Sequence, residues 1–285
     1  MEASRPSANP SLALNLEHTL EVLTIFLREE VRRTGLNDVV VGLSGGVDSA
    51  LSTYLAARAL GAGHVYAVLM PYSSSTPESL KDAMAVVEDL KLPHEIFPIS
   101  APVDAFFAET ERGTGAMDRM RRGNVMARMR MITLFDRSQA RSALVLGTSN
   151  KTESLLGYTT LYGDNASAIN PLGDLYKTQV WELARAIGVP EAIVAKPPSA
   201  DLWPGQTDEA ELGISYRELD EMLFLMVDER QSDEAIIQRG FPAERVRATR
   251  ERIRRMQFKR RLPLIAKVSD RTINADFRYP RDWGT

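Results

Sequence analysis

The chain has 285 residues, of which 44% are hydrophobic and 26% charged, with a formal charge of −3 and a pI near 5.8. That balance accommodates one sizeable α/β core and argues against a generic nucleic-acid binder. The absence of Cys removes disulfides, thiolate metal sites and sulfur nucleophiles, and the three histidines, His18, His64 and His94, lack the spacing of a zinc site.

Residues 1–11 are rich in Ser and Pro and read as a disordered segment ahead of a single domain, 12–285, with a C-terminal helical part from about 205. The opening residues lack a cationic stretch followed by an apolar one, and no apolar run reaches membrane-spanning length, so a soluble cytoplasmic protein with no membrane partner is expected. Leu16, Leu20, Leu23 and Leu27 recur at helical spacing, with Gly35 as the stop. Strands are expected over Val39 to Leu43, Val65 to Met70, Glu95 to Ile99 and Ala143 to Leu146, separated by segments of helix length. This alternation predicts an α/β fold with a doubly wound, mostly parallel sheet flanked by helices.

In such a sheet, ligands bind beyond the carboxyl ends of the strands, where "GLSGGVDS", "MPYSSSTPES" and "LGTSNKTES" all fall. Arg112 to Gly123 mixes Gly with dense charge and reads as a mobile connection, after which Met126, Met129 and Ile132 read as core residues. Beyond Pro171 the chain reads as helices interrupted by "KPPSADLWPGQTDEAELG", a long functional or mobile loop. The basic run Glu244 to Arg261 carries an apolar stripe of Val246, Ile253 and Met256.

The stretch "VVVGLSGGVDSALSTYLAARAL" carries the chemistry. A P-loop beginning at Gly42 would end in Gly-Lys-Ser/Thr, yet here Val47, Asp48 and Ser49 stand in those places. A carboxylate repels phosphate, so Asp48 suits a nucleotide loop only with a divalent cation between the two. Ser44, Gly45 and Gly46 are small enough for backbone N–H groups to approach a polyphosphate, and a helix starting near Ser49 adds its positive end. Leu51, Tyr54, Leu55 and Ala59 would form its inner face and Gly61 its end. A plain strand-to-helix turn with Asp48 or Ser49 as N-cap accounts for fewer of these positions together.

"SGGVDS" resembles the pyrophosphate-loop signature of the ATP-pyrophosphatase superfamily, whose fold is Rossmann-like, of the adenine nucleotide alpha hydrolase type. "LVLGTSNKTESLLGYTTLYGDNASAINPLGDLYKTQVWELA", "KPPSADLWPGQTDEAELGISY", "FKRRLP" and "RYPRDW" resemble the NAD synthetase family over nearly the whole chain after about residue 15. The resemblance implies that ATP and nicotinic acid adenine dinucleotide (deamido-NAD) form an adenylated nicotinate, which ammonia converts to NAD with release of AMP and pyrophosphate. It further implies Asp48, Glu153 and Lys177 as catalytic residues, with Asp48 and Glu153 as Mg2+ ligands. Gly42, Leu43, Ser44, Gly45, Gly46, Val47, Asp48, Ser49, Thr148, Lys177 and Ser199 would contact ATP, and Arg128, Tyr158, Leu161, Phe258 and Lys259 the dinucleotide.

Taken alone, Glu153 and Lys177 read as solvated helix residues, and Thr148 and Ser199 as turn or cap residues. The chain departs from the short ammonia-dependent pattern at Leu161, where Lys is common, and at Ala168, where Asp is common. "GYTTLYGD" looks more like the synthetase domain of glutamine-dependent enzymes, in which case Tyr158 and Leu161 line the dinucleotide site by shape. The family also implies a homodimer. Because no Cys is present, glutamine cannot be hydrolysed in cis by a thiolate, so free ammonia or a separate glutaminase must supply nitrogen. The alternatives are another adenylating amidotransferase of the superfamily, the synthetase subunit of a two-component glutamine-dependent enzyme, and a non-catalytic nucleotide sensor.

Overall fold

Four short segments pair into one parallel sheet: β1 (Asp38–Gly42), β2 (Val65–Leu69), β3 (His94–Ile96) and β4 (Ala143–Leu146), in the order β3-β2-β1-β4. The structure is a computed structural model that describes residues 12–199, 201, 203 and 205–273. Val39 lies opposite Val65 on one side and Leu144 on the other, which sets the register of β2, β1 and β4. Side chains of β1 alternate between faces, as a pleated strand requires. Val39 and Val41 enter one apolar cluster, Val40 another, and all three are fully buried.

The first cluster lies under α1 (Leu16–Arg33), α2 (Val47–Leu60), α3 (Pro77–Leu90), α7 (Lys177–Ile187) and α8 (Glu191–Val194). The second lies under α4 (Ser100–Thr114) and α5 (Arg119–Arg141). Helices on both faces make the sheet doubly wound, as the alternating pattern predicts. Leu27, Leu51, Leu55 and Leu183 are removed from water altogether, each stabilising the fold by about 1.5–3 kcal/mol relative to an exposed side chain. The remaining elements are α6 (Lys151–Leu156), between β4 and α7, and the C-terminal helices α9 (Asp208–Leu212), α10 (Tyr216–Val227), α11 (Asp233–Gln238) and α12 (Ala243–Arg255).

Several elements differ from the sequence reading. Arg112 to Gly123 is not one mobile connection: α4 runs to Thr114 and α5 starts at Arg119, capped by the Asp118 side chain accepting from Arg121 N at 2.8 Å. A local N-cap and continuing core contacts outweigh the Gly and charge content there. Ile132 is not core. It is 55% exposed, because the buried stripe of α5 passes through Gly123, Met126, Ala127 and Thr133, one position off Ile132.

The second helix begins at Val47 rather than near Ser49, with Gly46 as N-cap, and it is buried on nearly all sides rather than along one face. That follows from its place between α1, α7 and the sheet. The strands expected to end at Leu43, Met70 and Ile99 end at Gly42, Leu69 and Ile96. Part of the long loop after Lys196 is helical, as α9. Residues 1–11 and the "RYPRDW" stretch lie outside the described residues. No helix among the described residues is long and apolar enough to cross a membrane.

Candidate active site

The neighbours of β1 are β2 and β4, and between β1 and β4 the strand order reverses, the point at which a doubly wound sheet opens a crevice at its carboxyl edge. The loop Gly42–Ser49 leaves β1 there and enters α2, while Gly147–Asn150 leaves β4 and enters α6. Gly45 has φ +81°, and a Cβ built on it would lie 2.2 Å from the Ser79 carbonyl oxygen of α3. Only glycine permits both the turn and the close approach. The loop is braced from within: Ser44 N donates to Ser49 Oγ at 3.2 Å, Gly46 N to Ser44 Oγ at 3.2 Å, and Ser49 Oγ to Gly46 O at 2.9 Å. Gly46 offers α2 no side-chain cap, so the positive end of a 14-residue helix faces the crevice.

Three elements deliver charge to this point. Asp48 comes from the first turn of α2, Glu153 from the first turn of α6, and Lys177 from the first residue of α7. Lys177 is 2% exposed, its Nζ pairing with Asp48 Oδ2 and standing 3.5 Å from Glu153 Oε1. Asn150 ties the two carboxylates together. Its Nδ2 donates to Asp48 Oδ1 at 2.8 Å, its Oδ1 accepts from Glu153 N at 2.9 Å, and its own N–H donates to Glu153 Oε2 at 3.3 Å. The last two bonds form a capping box, which fixes where α6 starts.

A third carboxylate, Asp208 at the start of α9, is buried nearby and accepts from Tyr216 Oη at 3.0 Å and Tyr158 Oη at 3.2 Å. Tyr216 also presents its ring 5.4 Å from Lys177 Nζ. Negative charge therefore exceeds positive charge in a poorly hydrated space. Burial and the neighbouring Asp48 push the Glu153 carboxyl up to about 8. Burial likewise raises Asp208, against the pull of Lys177. Burial alone would lower the Lys177 ammonium, but Asp48 and Glu153 more than reverse this and hold it firmly charged.

A hard cation fits this donor set. Asp48 and Glu153 offer carboxylate oxygens only, a divalent cation would favour the ionised form of Glu153 that burial and Asp48 oppose, and Mg2+ typically takes one or two carboxylates plus substrate phosphates rather than an all-protein cage. Among the described residues no group of three or more His, Cys, Asp or Glu is arranged to hold a metal by itself.

The other residues singled out in the sequence fall into three places. Thr148 is half-buried just past β4, and Ser199 is exposed, its Oγ accepting from Asp201 N at 3.1 Å. Arg128 on α5 donates through Nε and Nη2 to the Leu161 carbonyl at 3.3 and 3.2 Å, which brings those two together. Lys259 Nζ donates to the carbonyls of Gly157 and Thr159 at 2.7 and 2.5 Å, beside Tyr158, whereas Phe258 next to it is 56% exposed. The segment 157–161 thus gathers Arg128, Tyr158, Leu161 and Lys259. It joins the charged cluster through the bond from Tyr158 to Asp208. Asn150, Asp208 and Tyr216 were not found from sequence. The pattern Asn150-x-x-Glu153 is a readable capping-box signal; nothing local marks the other two.

The family model described as NAD synthase matches residues 19–263. The NH(3)-dependent NAD(+) synthetase of Trichlorobacter lovleyi is 52% identical over 96% of this chain and 98% of its own. Among solved structures, the NH3-dependent NAD synthetase from Campylobacter jejuni is similar with a TM-score of 0.75 at 34% identity, covering 90% of this chain and all of that one. NMN synthetase from Francisella tularensis has a TM-score of 0.79 at 32% identity, covering 89% of this chain and 99% of that one.

Proposed function

The chain belongs to the NAD synthase family, and on that premise we propose that its carboxyl-edge crevice is where ATP-dependent amidation of deamido-NAD by ammonia takes place. The enzyme forms the carbon–nitrogen bond of NAD and uses ATP as co-substrate. One observation carries the assignment of the site: a buried lysine at a helix N-terminus, paired with two carboxylates, beside a Gly-rich loop that opens onto a second helix N-terminus. Each part has work in adenylation.

The amides of Gly42 to Ser49 and the dipole of α2 hold the β- and γ-phosphates, leaving the α-phosphorus open. A carboxylate oxygen of the nicotinate attacks that phosphorus and pyrophosphate departs. Lys177 neutralises the charge that builds on the α-phosphate and on the leaving group, in a dry setting where such stabilisation is strong. Ammonia then attacks the activated carbonyl carbon, and AMP leaves with the former carboxylate oxygen. Asp48 and Glu153 would hold Mg2+, which when bound supplies charge neutralisation between these carboxylates and the phosphates. Thr148 and Ser199 complete the ATP contacts in this reading, and Arg128, Tyr158, Leu161, Phe258 and Lys259 the dinucleotide contacts.

The reading includes a homodimer in the cytoplasm, fed by free ammonia or by a separate glutaminase. The 52% identity to the NH(3)-dependent NAD(+) synthetase of Trichlorobacter lovleyi supports the dinucleotide substrate; likeness to the two solved structures does not separate it from a mononucleotide, at 34% and 32%. The deciding experiment uses deamido-NAD labelled with heavy oxygen in its carboxylate. One labelled atom is expected in AMP, with pyrophosphate as the other product. Label in inorganic phosphate with ADP as the nucleotide would mean phosphorylation, and would end both the loop assignment and the adenylation mechanism.

A further inference from the structure

Next to the charged cluster lies a buried carboxylate that the adenylation chemistry does not use. Asp220 on α10 has no exposed surface. Its Oδ1 accepts from Thr152 Oγ1 at 2.6 Å and its Oδ2 from Thr178 N at 2.8 Å. Thr152, also fully buried, accepts in turn from Lys177 N at 3.0 Å. One carboxylate thus gathers the first turns of two helices, directly at α7 and through a hydroxyl at α6.

Those two turns carry Lys177 and Glu153. Thr152 immediately precedes Glu153, and Thr178 immediately follows Lys177. Tyr216 and Asp220 stand four residues apart on α10 and so share one face. The first sets its ring against the Lys177 ammonium, and the second accepts from Thr178 N directly and reaches Lys177 N through the Thr152 hydroxyl. α10 therefore supports this lysine at both ends.

A purely structural need would be met at lower cost by a neutral pair. Burying a carboxylate without an ion partner at hydrogen-bond distance is expensive, and substituting well-packed neutral groups is often neutral or stabilising. The burial cost is visible in the Asp220 carboxyl, which burial raises to about 6 against the pull of its Thr152 and Thr178 bonds. What the charge gains is directional strength: a carboxylate makes shorter, stronger bonds than a neutral acceptor, and it draws two helix N-termini together.

We propose that Asp220, acting through Thr152, is a positioning residue that sets the spacing between Glu153 and Lys177 for phosphate chemistry. The proposal rests on the adenylation reading of the site. It requires that misplacing Lys177 lowers turnover rather than affinity, because its charge is needed most in the transition state.

The test compares three variants of the full chain, with kcat expressed per folded molecule from circular dichroism at the assay temperature. Thr152→Val keeps the shape but removes the bridging hydroxyl, Thr152→Ser keeps the hydroxyl, and Asp220→Asn keeps an acceptor but removes the charge. T152V is expected to lower kcat on the order of tenfold to a hundredfold, with KM for ATP and deamido-NAD within about twofold. T152S should stay within about threefold of the unsubstituted chain, and D220N should fall between the two. Hydrogen exchange at the amides of Lys177 and Thr178 should accelerate by at least about tenfold in T152V and not in T152S.

Unchanged kcat in T152V, an equal loss in T152S, or a loss expressed wholly in KM would overturn the positioning role. So would unchanged exchange at both amides. The adenylation reading fails separately, if the unsubstituted chain forms no NAD from ATP, deamido-NAD and ammonium.

Discussion

Replacing Gly45 by alanine places a methyl carbon 2.2 Å from the Ser79 carbonyl oxygen, where real Cβ contacts essentially never fall below 3.0 Å. The obstacle is backbone at the start of α3, so no side chain can rotate away to relieve it. The loop must retreat by roughly 1 Å, a misplacement that can cost on the order of a hundredfold in rate when the displaced group orients a reactant. The φ of +81° at Gly45 adds about 1–2 kcal/mol of strain for any residue with a Cβ. Steady-state NAD formation and a thermal melt measure the two effects together. G45A should lose about two orders of magnitude in kcat, and its Tm should fall by roughly 2–4 °C for each kcal/mol lost. Gly63→Ala is the control, since a Cβ there meets nothing within 4 Å and φ is not positive; it should match the unsubstituted chain in both measurements. If G45A kept full activity and an unshifted Tm, the close packing of the phosphate loop against α3 would not exist in solution.

Because the chain has no Cys, purified protein should form NAD with ammonium and not with ammonia-free glutamine; comparable rates with the two would contradict the nitrogen assignment. Asp48→Ala and Glu153→Ala should each reduce turnover on the order of a hundredfold, judged from losses of comparable electrostatic groups, and near-normal activity of both at low magnesium would remove them from the site. Asp220, whose folded-state value is raised from 3.8 to about 6, makes a signed prediction for stability. The folded chain binds this proton more tightly than the unfolded one, so the contribution is fully present below 3.8 and is lost as pH rises through about 6. Denaturant melts should show up to about 3 kcal/mol less stability from this group at pH 7.5 than at acid pH, and the Asp220→Asn variant should lack that component; an identical pH slope in the two proteins would show that the carboxyl is not buried as described.

How much of this was legible in the sequence depends on whether a residue's partner is local. Asp48 was legible because the whole string from Val39 to Leu60 is a strand, a Gly-rich turn and a helix, and a carboxylate at the end of that turn demands an explanation. The alternation of Val39, Val40 and Val41 between two cores follows from the pleat alone. The Asn150–Glu153 box is readable as a helix start, but its bond to Asp48 joins residues 102 positions apart and leaves no local trace. Asp208 falls in the stretch read as a long loop, and Asp220 carries no local motif; their partners, Tyr216 for the first and Thr152 and Thr178 for the second, are visible only in the fold. Arg112 to Gly123 misled in the opposite direction, since composition signalled mobility while the cap at Asp118 was present in the same residues. Ile132 was misplaced by a single position of helical phase, the usual margin of error when a stripe is drawn from hydrophobicity without knowing which face meets the sheet.

The cluster around Lys177 is assembled from residues far apart in the chain: Asp48 and Lys177 are separated by 129 positions, and Thr152 and Asp220 by 68. No fragment ending before α10 holds the lysine's backbone, its ring contact and its carboxylates together. On the ribosome, the phosphate loop emerges early yet has no lysine to face until the second half of the chain has followed. Closures between residues so far apart in the chain slow folding relative to local contacts. A fragment ending before α10 therefore lacks both the ring and the buried carboxylate that stand against Lys177 and Thr152, and should form no NAD even though its phosphate loop is whole.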